Sequence, residues 1–182
     1  MITIPTLETE RLILKPITLT DADSYQKNFN DYEVLRYLSF RVPWPYPDNG
    51  AEDFIRSFVI PNQGVTRWSW GIRLKTNPEE IIGAVELFVP GIPENRGFWL
   101  GKKYWEMGYM TEAVKPVMDF AFRELNLSEL TFANAKVNLR SRRVKEKTGA
   151  TLIEVRPSKY VDPTITECEY WKLTKDDWNK LN

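Results

Sequence analysis

The chain has 182 residues and balances 25 Lys and Arg against 25 Asp and Glu, so it lacks the basic excess that a large nucleic-acid footprint demands. It has no histidine, which excludes Ser-His-Asp and Cys-His catalysis and most zinc sites, and its one cysteine excludes an intramolecular disulfide. An apolar share of 42% is enough to bury one core, so a single domain over residues 1–182 with no metal is expected.

Residues 11–17 read as a strand. Thr20, Asp21 and Asp23 then suit a helix N-terminus, where side-chain acceptors and negative charge meet unpaired N–H groups, and that helix runs to about Asn30. Pro43, Pro45 and Pro47 surround Trp44 and Tyr46, which forbids a helix interior or a central strand and predicts a loop carrying aromatics. Residues 51–60 suit a second helix. Trp68, Trp70, Ile72 and Leu74 alternate with other residues in a strand over 67–75, followed by strands over 81–89 and 97–102 with a turn at 90–95 between them.

The clearest helix follows. Val114, Val117, Met118, Ala121, Phe122 and Leu125 form one apolar stripe, and the helix is expected to start near Tyr109 with a mild distortion at Pro116. A strand over 130–137, a short helix over 139–147 stopped by Gly149, and strands over 151–161 and 166–174 complete the chain. Cys168 reads as a buried thiol within the last strand. The order βααβββαβαββ predicts an α/β layered domain. The start Met-Ile-Thr-Ile-Pro lacks a basic region with an apolar core, and no apolar run approaches the roughly 18 residues that cross a bilayer. A cytoplasmic protein with no membrane or nucleic-acid partner, monomeric or homodimeric, is the expectation.

Chemistry concentrates where the strand ending at Leu100 turns into the long helix. The stretch Trp105-Glu106-Met107-Gly108-Tyr109-Met110-Thr111-Glu112 puts a glycine before a helix whose first N–H groups are unpaired, an arrangement that suits a phosphate. Taken alone, it equally suits an ordinary strand-to-helix connection.

This stretch resembles the central motif of the GNAT superfamily of N-acetyltransferases, in particular the RimJ/RimL-like group of ribosomal-protein N-terminal-alanine acetyltransferases. Three further segments agree in the same order. Thr9-Glu10-Arg11-Leu12-Ile13-Leu14 with Asp21-Ala22 resembles the opening strand and helix, and Gly97-Phe98-Trp99-Leu100 the strand before the cofactor loop. The segment from Asn138 through Ser141 and Lys145 to Ala150 resembles the later helix. Trp105, Met110 and Asn95 depart from common superfamily choices, and Lys145 stands where many members carry Tyr.

The resemblance implies a GNAT-like acyl-CoA N-acyltransferase fold. Its sheet would be seven-stranded, mixed and mostly antiparallel, with about four flanking helices. It implies acetyl transfer from acetyl-CoA to an amine acceptor, a protein N-terminal α-amine or a small molecule, by direct attack in a ternary complex. The pyrophosphate would lie on Glu106, Met107, Gly108, Tyr109, Met110 and Thr111, and the pantetheine between the strands ending at Leu100 and over 130–137. Asn138, Ser141 and Arg143 would complete the cofactor site, with Lys102, Lys103 and Arg142 as further cations. Leu100 would offer an N–H to the thioester oxygen, and Ser141 a hydroxyl to the sulfur. Glu86 is the leading candidate base and Glu94, in a loop, the poorer one. Trp44 and Tyr46 are candidates for the acceptor slot. A non-catalytic acyl-CoA sensor is the rival expectation.

Overall fold

The computed structural model describes residues 3–89 and 94–181. Its frame is an eight-stranded sheet with the order β1-β2-β3-β4-β5-β6-β8-β7. The strands are β1 (Leu7–Glu8), β2 (Leu12–Pro16), β3 (Arg67–Leu74), β4 (Gly83–Phe88), β5 (Arg96–Leu100), β6 (Glu129–Ala135), β7 (Thr151–Pro157) and β8 (Glu167–Thr174). Every neighbouring pair is antiparallel except β5 and β6. The GNAT-like α/β architecture is the expected one, with an eighth strand where seven were expected. The addition is β1, too short for any periodicity to show, which pairs with β2 through Leu7 and Leu14.

The helices also outnumber the expected four. Leu19–Asp21 forms a 3-10 turn leading into α1 (Ala22–Phe29), and α2 (Tyr32–Leu35) follows with Asp31 accepting the Glu33 N–H as its cap. The second expected helix is α3 (Gly50–Phe54), continued by a π-helical stretch Ile55–Val59 into α4 (Ile60–Asn62). Helix α5 (Tyr109–Arg123) starts at the expected residue and runs through Pro116, which lacks the N–H that would bond the Glu112 carbonyl. Helix α6 (Leu139–Lys147) has the expected bounds and is followed by Gly149 at φ 80°; α7 (Lys175–Leu181) was not expected. The turn expected at 90–95 lies largely outside the described residues. Among the described residues no helix is long and apolar enough to cross a membrane.

Two apolar layers follow from strand alternation. Trp68, Trp70 and Ile72 of β3 point at the buried stripe of α5, including Ala113, Val114, Val117 and Ala121. On the opposite face α1, α3 and the π-helical stretch pack Tyr25, Phe29 and Ile55 onto Ala84 and Trp99. Burying one such side chain is worth about 1.5–3 kcal/mol. The alternate residues of β3 are polar yet buried, so each needs a partner. Arg73 Nη2 donates to Asp21 Oδ1 at 2.5 Å, its Nη1 donates to the Gly71 carbonyl at 3.0 Å, and Asp21 Oδ2 also accepts the Thr18 N–H at 2.8 Å. Removing one member of such a pair strands the other charge in the interior. Asp21→Ala is expected to lower unfolding free energy by about 3 kcal/mol, measured by urea denaturation; a loss within experimental error would show that Arg73 reaches water.

Candidate active site between two parting strands

Parallel strands β5 and β6 pair only where Arg96 faces Phe132. Just before that point Asn95 fastens them: its N–H donates to the Thr131 carbonyl at 2.8 Å, and its Oδ1 accepts the Thr131 N–H at 2.9 Å and hydroxyl at 3.1 Å. Beyond it the strands part. The gap opens into a cavity of about 1020 Å³ lined by Gly97 to Leu100 on one side and Ala133 to Ala135 on the other. Gly101 donates its N–H to Ile82 of the β4 side at 2.8 Å. Because backbone groups alternate along a strand, the Leu100 N–H faces the other way, into the gap. The Leu100 carbonyl on that side is taken by the Trp105 indole N–H at 2.7 Å.

The start of α5 lines one end of the cavity with Glu106, Gly108, Tyr109, Met110 and Thr111. Glu106 has φ 65° and Gly108 φ 80°, both left-handed, and no side chain caps the helix there. Successive N–H groups in such a turn, at the positive end of a helix dipole, form a concave anion site. A polyphosphate fits this cradle. Met107 is half exposed and does not line the cavity, but its carbonyl accepts from Arg11 Nη1 at 3.0 Å. Arg11 also donates to Glu112 through Nε at 2.7 Å and lies over the Tyr109 ring at 4.4 Å. These contacts tie the loop to the opening strand. Against the opposing effect of its own burial, Glu112 is lowered from its ordinary value through bonds from Thr9 and Arg11.

Helix α6 supplies another wall. Asn138, Ser141 and Arg143 line the cavity, with Asn138 Oδ1 capping the helix by accepting the Ser141 N–H at 3.2 Å. Arg142 turns away to Glu169 at 2.7 Å, while Lys103 sits 3.6 Å from Glu80, and neither lysine of the 102–103 pair lines the cavity. Behind Ser141, Lys145 is 1% exposed and donates from Nζ to Ser141 Oγ at 2.9 Å. Burial and the neighbouring Arg96 push Lys145 down to about 7, and burial takes Arg96 down to about 9. Sequence reading named Ser141 but gave Lys145 no role beyond standing where many family members carry Tyr, although Ser141, Lys145 and Thr148 share one helix face by their spacing and all three are buried.

The carboxylates separate. Glu86 does not line the cavity; Arg67 Nη1 donates to its Oε2 at 2.5 Å and Ser69 Oγ to its Oε1 at 3.0 Å. Glu94 does line it, and burial raises its pKa above the ordinary value, against the lowering effect of Lys145, the Ala133 backbone and Arg96. Tyr46 is packed in the core against Phe29 at 5.1 Å, and Trp44 is an exposed ring beside Tyr32 at 5.2 Å; neither lines the cavity. The aromatic residues at that end are instead Tyr37, Phe40, Tyr160 and Tyr170. Their segments are stitched together: Phe40 donates its N–H to the Lys159 carbonyl at 3.3 Å, and Arg36 bonds Asp162 at 2.6 Å. No local pattern marks these residues, since the cavity gathers them from distant parts of the chain.

Arg11→Ala frees the Met107 carbonyl and Glu112 Oε2 together, while Glu112 Oε1 keeps its bonds from the Thr9 hydroxyl and the residue-11 N–H. Coenzyme A affinity is expected to fall roughly tenfold, about 1.4 kcal/mol, by isothermal titration calorimetry; unchanged affinity would show that the loop holds its shape without Arg11.

The chain is 26% identical to the FsC-acetyl coenzyme A-N(2)-transacetylase of Aspergillus fumigatus, over 97% of this chain and 79% of that one. It is 28% identical to the N-acetyltransferase YoaA of Bacillus subtilis, over 80% and 82% of the two chains. In fold it resembles the ribosomal-protein-S5-alanine acetyltransferase from Vibrio fischeri, with TM-score 0.79 and 19% identity over 96% and 98% of the chains. It also resembles the microcin C7 self immunity acetyltransferase MccE, solved with acetyl-CoA and AMP, with TM-score 0.75 and 16% identity over 91% and 93%. Residues 11–151 match the acetyltransferase (GNAT) domain family. The chain therefore belongs to the GNAT acetyltransferases and is an acetyl-CoA-dependent N-acetyltransferase.

Proposed function

We propose that the acceptor is a primary amine, a protein N-terminal α-amine or a small molecule, attacked directly in a ternary complex. The observation that carries this reading is the single cavity joining the α5 N-terminus to Glu94 and the Tyr160 end through the gap between β5 and β6. Both reactants then meet in one space, which can itself be worth up to roughly 7–11 kcal/mol of barrier. Bound acetyl-CoA supplies an activated acetyl group as a thioester. The N–H groups of Gly108, Tyr109, Met110 and Thr111 hold its pyrophosphate, with Glu106 and Met107 shaping the loop. Asn138 and Arg143 flank the rest of the cofactor. The Leu100 N–H stabilises negative charge developing on the carbonyl oxygen. The Ser141 hydroxyl donates to the sulfur as the carbon–sulfur bond breaks.

The attacking amine must lose a proton. Glu86 is engaged by Arg67 and Ser69, so Glu94 is the group proposed to accept it. A base works only when deprotonated, and burial raises the Glu94 pKa. Activity therefore falls as pH drops through that raised value. Free-thiol release from acetyl-CoA, measured against a panel of N-terminal peptides and small primary amines, tests the reaction. Tight acetyl-CoA binding without turnover on any acceptor would favour a sensor instead.

Glu94→Gln is expected to lower kcat by about 100-fold and flatten the acid limb, with KM for acetyl-CoA unchanged. Glu86→Ala is expected instead to cost about 3 kcal/mol of stability by stranding Arg67. If Glu94→Gln keeps full activity and the acid limb, water or another group takes the proton.

A further inference from the structure

Lys145 has an unusual setting for a lysine. It is 1% exposed, and among the described residues its ammonium makes one hydrogen bond, to Ser141 Oγ at 2.9 Å, and no ion pair. The Phe98 ring lies 5.3 Å from Nζ. An aliphatic residue here would remove the cost of burying a charge, so the retained amine calls for a physical role. Its bonding partner lines the cavity, whereas Lys145 does not. Phe98 also lines the cavity, but Ser141 is the lining residue that Lys145 hydrogen-bonds, so its directional influence passes through Ser141.

Hydrogen-bond direction states what that influence is. An ammonium has three donors and no acceptor. When Lys145 is protonated, Ser141 Oγ must accept from it, and the serine's own proton must point elsewhere. When Lys145 is neutral, its lone pair can accept that proton and turn it inward. Ser141 is held in place by the α6 backbone and by its N–H bond to Asn138, so the outward direction is the cavity.

We propose that Lys145 is a positioning residue, which as an ammonium donates to Ser141 Oγ and thereby aims the Ser141 hydroxyl at the sulfur of coenzyme A. This rests on the reading that Ser141 meets the sulfur. Several groups bear on the protonation of Lys145: Arg96 of β5 opposes it, while Glu94 before β5 and Cys168 and Glu169 of β8 favour it. Burial is the largest influence and opposes the charge, whereas a thiolate forming beside Ser141 favours it, so Lys145 and the bound thiol titrate as a coupled pair.

The test reads the thiol of bound coenzyme A and needs no acceptor. The thiolate's ultraviolet absorbance is titrated against pH with coenzyme A bound to the wild type, Ser141→Ala, Lys145→Met and the double variant. A hydroxyl aimed at sulfur stabilises the thiolate, so each single variant is expected to raise the bound thiol's titration by about one pH unit, a tenfold change. If Lys145 acts through Ser141, Lys145→Met has no further effect in the Ser141→Ala background. Equal shifts in both backgrounds would mean that Lys145 acts by its charge alone, which overturns the proposal. A shift with Ser141→Ala but none with Lys145→Met also overturns it, leaving the Ser141 reading intact. No shift with Ser141→Ala removes that reading and the proposal with it. Should Lys145→Met not fold, Lys145→Gln keeps a buried N–H donor toward Ser141 Oγ without the charge. A titration close to the wild type's is then expected, and a rise as large as that of Ser141→Ala counts against the proposal.

Discussion

The structure depends on the parting of β5 from β6. A parallel pair normally satisfies its backbone by continued pairing, and buried N–H and C=O groups without partners are costly. Here pairing stops after Arg96 and Phe132, with Asn95 clamping the closed end. The backbone groups thereby released face a cavity rather than a neighbouring strand. Trp105 satisfies one of them, the Leu100 carbonyl, and its ring lies beneath Arg140 at 3.8 Å. One indole thus fastens the strand end, the loop before α5 and the α6 wall, three elements that line the cavity.

The wall of the gap is electrically unusual for the same reason. Arg96 is buried with its guanidinium over the Phe132 ring at 3.8 Å, and its Nε and Nη2 find no hydrogen-bond partner among the described residues. Asn134 Oδ1 is in the same condition. These polar atoms line the cavity or lie beside it, and a ligand or ordered water in the gap is the physical route to satisfying them. Burial is the leading influence on Glu94, Arg96 and Lys145, and it drives each toward its uncharged form. A site that must move a proton between an amine and a thiol benefits from groups held close to that balance.

Much of the fold was legible because its elements obey simple periodicities. The apolar stripe of α5 and the alternation of β3 each reflect one buried face, and the bounds of α6 followed from its flanking residues Asn138 and Gly149. Elements β1, α2 and α7 were not legible, since two to seven residues carry too little pattern and depend on their neighbours. Most residues named for the cofactor end line the cavity because they lie together in sequence, at a glycine before a helix. Those named for the acceptor do not line it. Trp44 and Tyr46 stand out in the sequence as aromatics among prolines, yet Tyr46 lies against Gly50, where an added Cβ would meet its ring at 2.7 Å. That crowding makes it part of the core, and the cavity takes Tyr37, Tyr160 and Tyr170 from remote segments instead.

The contrast between Glu86 and Glu94 shows why residue type alone does not assign a proton carrier. Glu86 was the leading candidate as a carboxylate on the strand before the loop of a chain without histidine, and it sits opposite Gly97 across β4 and β5. Its position also places it beside Arg67, whose guanidinium lies over Phe58 and Phe88 at 4.6 Å each and is held by those rings. A carboxylate bonded to this guanidinium and to a serine has both oxygens engaged, and freeing it would strand the arginine. Glu94 sees Lys145 and Arg96 as fields but has no ion-pair contact with either among the described residues, so burial prevails over attraction. Of the two carboxylates, Glu94 is the one whose neighbours stop short of pairing with it. The same condition holds for Lys145 across the gap, and it sets both apart from the paired charges that hold the sheet and helices together.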